Sequence, residues 1–122
     1  MANRLLVVDD SRVSRMIIKT KVASLRPQWE VFEAASGDEA LVLAPQLRPD
    51  FVTMDVNMPG ISGFDAAERL RALLPQARIA MLTANIQESS RERAQALGVK
   101  FVQKPVTEAA ILQAVDYFGA TP

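Results

Sequence analysis

Short apolar runs alternate strictly with longer amphipathic stretches along this chain, five times over. The pattern predicts strands over 4–9, 29–34, 51–55, 78–83 and 100–104, and helices over 12–25, 37–46, 63–74, 88–97 and 107–118. Ser11 is placed to open the first helix and Gly98 to close the fourth, and Pro27, Pro49 and Pro75 stop helices before the second, third and fourth strands. Phe64, Ala67, Leu70 and Leu74 fall on one face of the third helix, as Ile111, Val115 and Phe118 do on the last. Strict strand-helix alternation leaves few folds. It calls for a parallel sheet covered by helices on both faces, within a single domain over 1–122.

Strand composition suggests the order. The first, third and fourth runs are continuously apolar, as interior parallel strands are. The second, Trp29-Glu30-Val31-Phe32-Glu33-Ala34, mixes in charges, and the fifth is flanked by Lys100 and Lys104. Both read as edges, giving the order 2-1-3-4-5 in a flavodoxin-like three-layer (βα)5 sandwich. The first and third strands then lie side by side where the winding reverses, and open α/β sheets bind ligands there, beyond the carboxyl ends of the strands.

Polar residues gather at those ends. Asp9-Asp10 follow Leu5-Leu6-Val7-Val8, Asp55 follows Phe51-Val52-Thr53-Met54, Thr83 ends Ile79-Ala80-Met81-Leu82, and Lys104 follows Phe101-Val102-Gln103. A charge is costly to bury alone, so these residues point to one shared polar site.

Several chemistries are excluded. The 122 residues contain neither Cys nor His, which removes disulfides, thiol catalysis, zinc-thiolate sites, a Ser-His-Asp mechanism and a phosphohistidine on this chain. Formal net charge is zero and no basic run stands out, so nucleic-acid binding has no electrostatic support. No apolar stretch approaches a membrane span, and the start lacks a signal-peptide core, so a cytoplasmic protein is expected.

Three converging carboxylates repel one another by roughly 4 kcal/mol per pair at about 4 Å and an effective dielectric of about 20. Lys104 alone cannot neutralise them. Either a carboxyl stays protonated or a cation binds. With only oxygen ligands on offer, Mg²⁺ fits best. A carboxylate beside Mg²⁺, a Lys and a hydroxyl is equipped for phosphoryl transfer, with Asp as nucleophile.

Asp9-Asp10, Asp55-Val56-Asn57-Met58-Pro59-Gly60, Thr83-Ala84 and Lys104-Pro105 together resemble the CheY-like receiver domain of two-component response regulators, over essentially the whole chain. The resemblance implies that Asp55 is the phosphoacceptor and that Asp9, Asp10, Asp55 and a carbonyl of Asn57 hold Mg²⁺. It implies that Lys104 contacts the acceptor and then the phosphoryl group, that Thr83 swings to a phosphoryl oxygen, and that Phe101 is the switch aromatic, here without a hydroxyl. A cis peptide is expected at Lys104-Pro105. A histidine kinase or histidine phosphotransfer protein would be the donor. An output protein would read the face made by the fourth helix, fifth strand and fifth helix, with neither nucleic acid nor membrane involved. Such a domain is a phosphoacceptor switch that catalyses only its own phosphorylation and dephosphorylation. Asn57 and Asn85 flank the water that would hydrolyse the acyl phosphate.

Other readings compete. Asp9 and Asp10 also suit a helix cap, Asp55 a structural ion pair with Lys104, and Phe101 plain packing. A haloacid-dehalogenase-type phosphatase would need an Asp general acid where Asn57 stands. A flavodoxin-like cofactor module would need a Ser, Thr and Gly-rich loop where Asp9-Asp10 stand. An unphosphorylated scaffold would not need the intact site. The sequence fits a stand-alone regulator, a phosphate shuttle or a receiver from a larger protein.

Overall fold

The computed structural model describes residues 3–84, 87–105 and 107–119. Strands and helices alternate throughout: β1 (Arg4–Val8), α1 (Arg12–Leu25), β2 (Glu30–Ala34), α2 (Gly37–Leu47), β3 (Phe51–Asp55), α3 (Gly63–Leu73), β4 (Arg78–Thr83), α4 (Glu88–Leu97), β5 (Lys100–Gln103) and α5 (Glu108–Gly119). The five strands form one parallel sheet in the order β2-β1-β3-β4-β5. This is the expected flavodoxin-like fold.

Side-chain alternation along the strands splits the core in two. Leu6 and Val8 of β1 pack with Ala40 and Ala44 of α2, Phe64, Ala67 and Leu70 of α3 and Ala94 of α4. Leu5 and Val7 face the other way, onto Ile18 and Val22 of α1 and Ile111, Val115 and Phe118 of α5. The interior strands β3 and β4 are apolar on both faces because helices cover both, whereas β2 and β5 are partly exposed edges.

Local differences from the expected boundaries have local causes. β1 stops at Val8 because the Asp9 side chain folds back to accept the Ser11 N–H (2.9 Å). Trp29 stays in the turn before β2, its N–H bonded to Arg26 O (3.1 Å). β5 ends at Gln103. Lys104 N–H still donates to Thr83 O (2.8 Å), but the next residue is Pro105, which has no N–H, and the bond between them is cis. Thr107 precedes α5 as its cap, Oγ1 accepting the Ala110 N–H (3.1 Å). α2 runs on through Pro45 to Leu47 and closes at Arg48 in the left-handed region (φ 48°). α3 ends at Leu73, leaving Leu74 as its C-cap, still packed against the core. Gly119 lies within α5, so the part of the expected frayed tail that extends past it falls outside the described residues.

Candidate acidic phosphoryl-transfer site

β1 and β3 are neighbours, so their carboxyl ends bring Asp9, Asp10 and Asp55 together. One carboxylate oxygen from each lies within 4.8 Å of the others. Asp9 and Asp55 are buried and Asp10 is exposed. The donor set consists of oxygens alone, open to solvent on the Asp10 side, which suits a hard divalent ion that keeps water ligands.

Lys104 enters from the far end of the chain. Its Nζ lies 3.0 Å from Asp9 Oδ2 and 3.8 Å from Asp55 Oδ2. Burial pushes the Asp55 carboxyl up to about 6, opposed by the Lys104 charge and reinforced by Asp9 and Asp10; a bond from the Val56 backbone also opposes the rise. Asp55 is therefore mostly ionised at pH 7, yet its charge is held at a cost.

Asp9 also shares in a helix cap. Its Oδ1 accepts the Ser11 N–H, and Ser11 Oγ accepts the Ser14 N–H (3.2 Å) as the N-cap of α1. Asp9 thus serves the start of α1 through Oδ1 while Oδ2 pairs with Lys104. The Asp55–Lys104 ion pair is real too, but it is the longer arm of a pair centred on Asp9.

The loop after Asp55 turns at Gly60, whose φ of 80° favours glycine. Asn57 lies exposed in that loop, two residues beyond Asp55. Asn85 lies outside the described residues. Gly63, the first residue of α3, carries a role that sequence reasoning missed. A β-carbon there would stand 1.9 Å from the Asp55 carbonyl oxygen, and Gly63 N–H donates to Val56 O (2.9 Å). Only a bare backbone lets α3 begin this close to β3. A Gly one residue after a Ser cap was the only signal, and it reads equally as an ordinary helix start.

Thr83 is fully buried at the end of β4. Met81 pairs with Phe101 and Thr83 with Gln103, so Thr83 and Phe101 are diagonal neighbours on one face of the sheet. Phe101 packs partly into the core beside α4, and the Arg91 guanidinium lies 5.2 Å from its ring centroid. The site therefore joins Asp9, Asp10, Asp55 and Lys104 directly, with Thr83 and Phe101 on the adjoining strands.

A separate surface cavity of about 650 Å³ opens at the opposite end of the sheet, among Arg48, Asp50, Leu73 and Arg78. Its lining does not include Asp9, Asp10, Asp55 or Lys104. None of the described helices is long and apolar enough to cross a membrane.

Comparison with known proteins agrees with this geometry. A family model described as the response regulator receiver domain matches residues 5–116. The chain is 34% identical over 118 residues to the chemotaxis protein CheY of Thermotoga maritima, covering 95% of this chain and 97% of that protein. It is 36% identical over 118 residues to CheY of Bacillus subtilis, with the same coverage of 95% and 97%. The solved structure of Vibrio cholerae CheY4 at low pH superposes with a TM-score of 0.87 at 28% identity, covering 97% of this chain and 99% of that one.

Proposed function

The chain belongs to the response regulator receiver domain family of two-component signalling, and we propose that it takes a phosphoryl group from a partner phosphohistidine onto Asp55 in an Mg²⁺-dependent step. The observation that carries this reading is the approach of three carboxylates to within 4.8 Å of one another, with Lys104 within 4 Å of two of them, at the point where the sheet reverses its winding. Receivers of this type are signalling switches rather than turnover enzymes.

In this reading an ionised Asp55 oxygen attacks the phosphorus. The new P–O bond forms as the P–N bond to the donor imidazole breaks, and the imidazole leaves with the electron pair and regains a proton from water. Asp9, Asp10, Asp55 and a carbonyl of Asn57 would hold Mg²⁺, which when bound offsets charge on the phosphoryl oxygens. Lys104 already spans Asp9 and Asp55, so a small rotation brings its ammonium to the new phosphoryl group.

The added charge of about −1.5 to −2 changes what the strand ends next to β3 must accommodate. Thr83 would move toward the phosphoryl oxygen, and Phe101, its diagonal neighbour, would fill the space released. The population shift would appear on the α4, β5 and α5 face, where an output protein reads it. A histidine kinase or a histidine phosphotransfer protein would supply the phosphate.

Incubation with Mg²⁺ and acetyl phosphate, followed by intact mass measurement, tests the chemistry. One acid-stable, base-labile phosphoryl group is expected on the wild type and none on Asp55→Asn. Equal labelling of both proteins would overturn the assignment. Phosphotransfer profiling against purified kinases would then identify the donor.

A further inference from the structure

Asp9 is gripped at four points. Its N–H donates to Ala34 O (3.2 Å), Oδ1 accepts from Ser11, Oδ2 accepts from Lys104, and its carbonyl accepts from Arg15 Nη1 (2.7 Å). The last contact is part of a longer chain. Arg15 Nε donates to Glu33 Oε1 on β2 (3.0 Å), and Lys19, one turn further along α1, donates to Glu33 Oε2 (3.0 Å). Those two cations hold the Glu33 carboxyl below its usual value, the Lys19 hydrogen bond first among the causes. The Arg15 side chain is only 15% exposed, whereas Glu33 and Lys19 reach solvent.

Asp10 differs. It is exposed, and among the described residues its carboxylate has no hydrogen-bond partner. What directs it is the backbone, beginning with the Asp9–Asp10 peptide whose carbonyl Arg15 holds.

We propose that Arg15 is a positioning residue for the divalent-cation site. By holding the Asp9 carbonyl it fixes the Asp9–Asp10 peptide plane and so the direction from which the Asp10 carboxylate meets the ion. Glu33 and Lys19 hold Arg15 in turn. The inference rests on the reading that Asp9, Asp10 and Asp55 bind Mg²⁺. The guanidinium suits the task because its fork is planar and fixed, so one edge can serve the carbonyl while Nε serves Glu33; a Lys ammonium has no such geometry.

The sign of the effect separates positioning from charge. Arg15 is a cation beside a cation site, so by Coulomb's law alone its removal would tighten Mg²⁺ binding. Positioning demands the opposite. Titration calorimetry of the full chain with Mg²⁺ should show Arg15→Met binding about ten-fold more weakly, the usual scale for losing an outer-shell support. Arg15→Lys, which keeps the charge and loses the fork, should bind several-fold more weakly. Adding Glu33→Gln to Arg15→Met should cause little further loss, because both act through one contact. The Mg²⁺ concentration for half-maximal labelling by acetyl phosphate should rise in step, while the acetyl phosphate requirement moves far less. Far-UV circular dichroism checks folding, and if Arg15→Met fails that check the Arg15→Lys titration decides. Mg²⁺ binding by the folded variant as tight as wild type, or tighter, would overturn the inference. A wild type that binds no Mg²⁺ would instead overturn the reading of the acidic site itself.

Discussion

Lys104 Nζ stands 3.0 Å from Asp9 Oδ2, a pairing between the two ends of the chain that is closer than the 3.8 Å from Lys104 to Asp55. Without metal, Lys104 is first the partner of the more deeply buried carboxylate. Lys104→Ala should therefore destabilise the metal-free protein at pH 7 by about 1–3 kcal/mol, because a buried Asp9 loses a charged hydrogen bond. Urea unfolding measures this. The same variant should lose the change in partner affinity that phosphorylation causes, whereas a wild-type response would refute a coupling role for Lys104.

The raised Asp55 carboxyl makes a signed prediction. Its folded value of about 6 lies above the ordinary 3.8, so between these values the folded state binds more protons than the unfolded one. Stability from this group is therefore lost as pH rises from about 4 to 6 and stays lost above. Asp55→Asn, neutral throughout, should gain on the order of 3 kcal/mol over wild type at pH 7 in EDTA, and the gain should vanish near pH 4. Paired urea titrations across that range would show it, and a pH-independent difference would disprove the linkage.

Thr53 is buried on β3, and its hydroxyl has no hydrogen-bond partner among the described residues. An apolar group of the same shape avoids that desolvation. Thr53→Val should stabilise the protein by about 1 kcal/mol in urea unfolding. A loss of that size would reveal a bound water at the hydroxyl.

Gly63→Ala tests the contact between α3 and β3. The new β-carbon would meet the Asp55 carbonyl oxygen at 1.9 Å, so the helix must retreat. A destabilisation of about 3 kcal/mol or more is expected, at the upper end for overpacking. The same variant should accept phosphate from acetyl phosphate more slowly, and labelling at the wild-type rate would show that the site tolerates the shift.

Asn57 is exposed two residues beyond Asp55, the proposed acceptor, where an amide can orient water by hydrogen bonding. Asn57→Leu should lengthen the lifetime of the phosphoryl group several-fold and leave its acquisition from acetyl phosphate nearly unchanged. Decay of the phosphorylated variant, followed by mass or radiolabel, reads this directly. Unaltered decay would place control of the water elsewhere.

The strand order was legible because edge strands betray themselves: Glu30 and Glu33 in β2 and Lys100 in β5 sit where no second helix layer requires apolar residues. Asp9, Asp10, Asp55 and Lys104 were legible because each ends an apolar run. Gly63 was not, since its meaning depends on a close approach between α3 and β3 that no local pattern encodes. Arg15 and Lys19 carry no local signal, and only the fold brings Glu33 across to them. The unsatisfied Thr53 hydroxyl was equally hidden, since Thr in a strand is ordinary. Thr107 was read as the first residue of α5, whereas its hydroxyl caps the helix from just outside.

The tight seating of Gly63 on Asp55 has a mechanical consequence. The main chain of Asp55 is wedged between the sheet and the start of α3, with no slack on the helix side. Whatever is added to the Asp55 carboxyl cannot be relieved by sliding β3 toward α3. In the proposed reading, displacement would have to come from parts that are not seated so closely on β3, such as β5, an edge strand with β4 between it and β3. If Asp55 carries the phosphoryl group as proposed, a strand held against α3 would pass the added strain across β4 rather than absorb it in its own main chain.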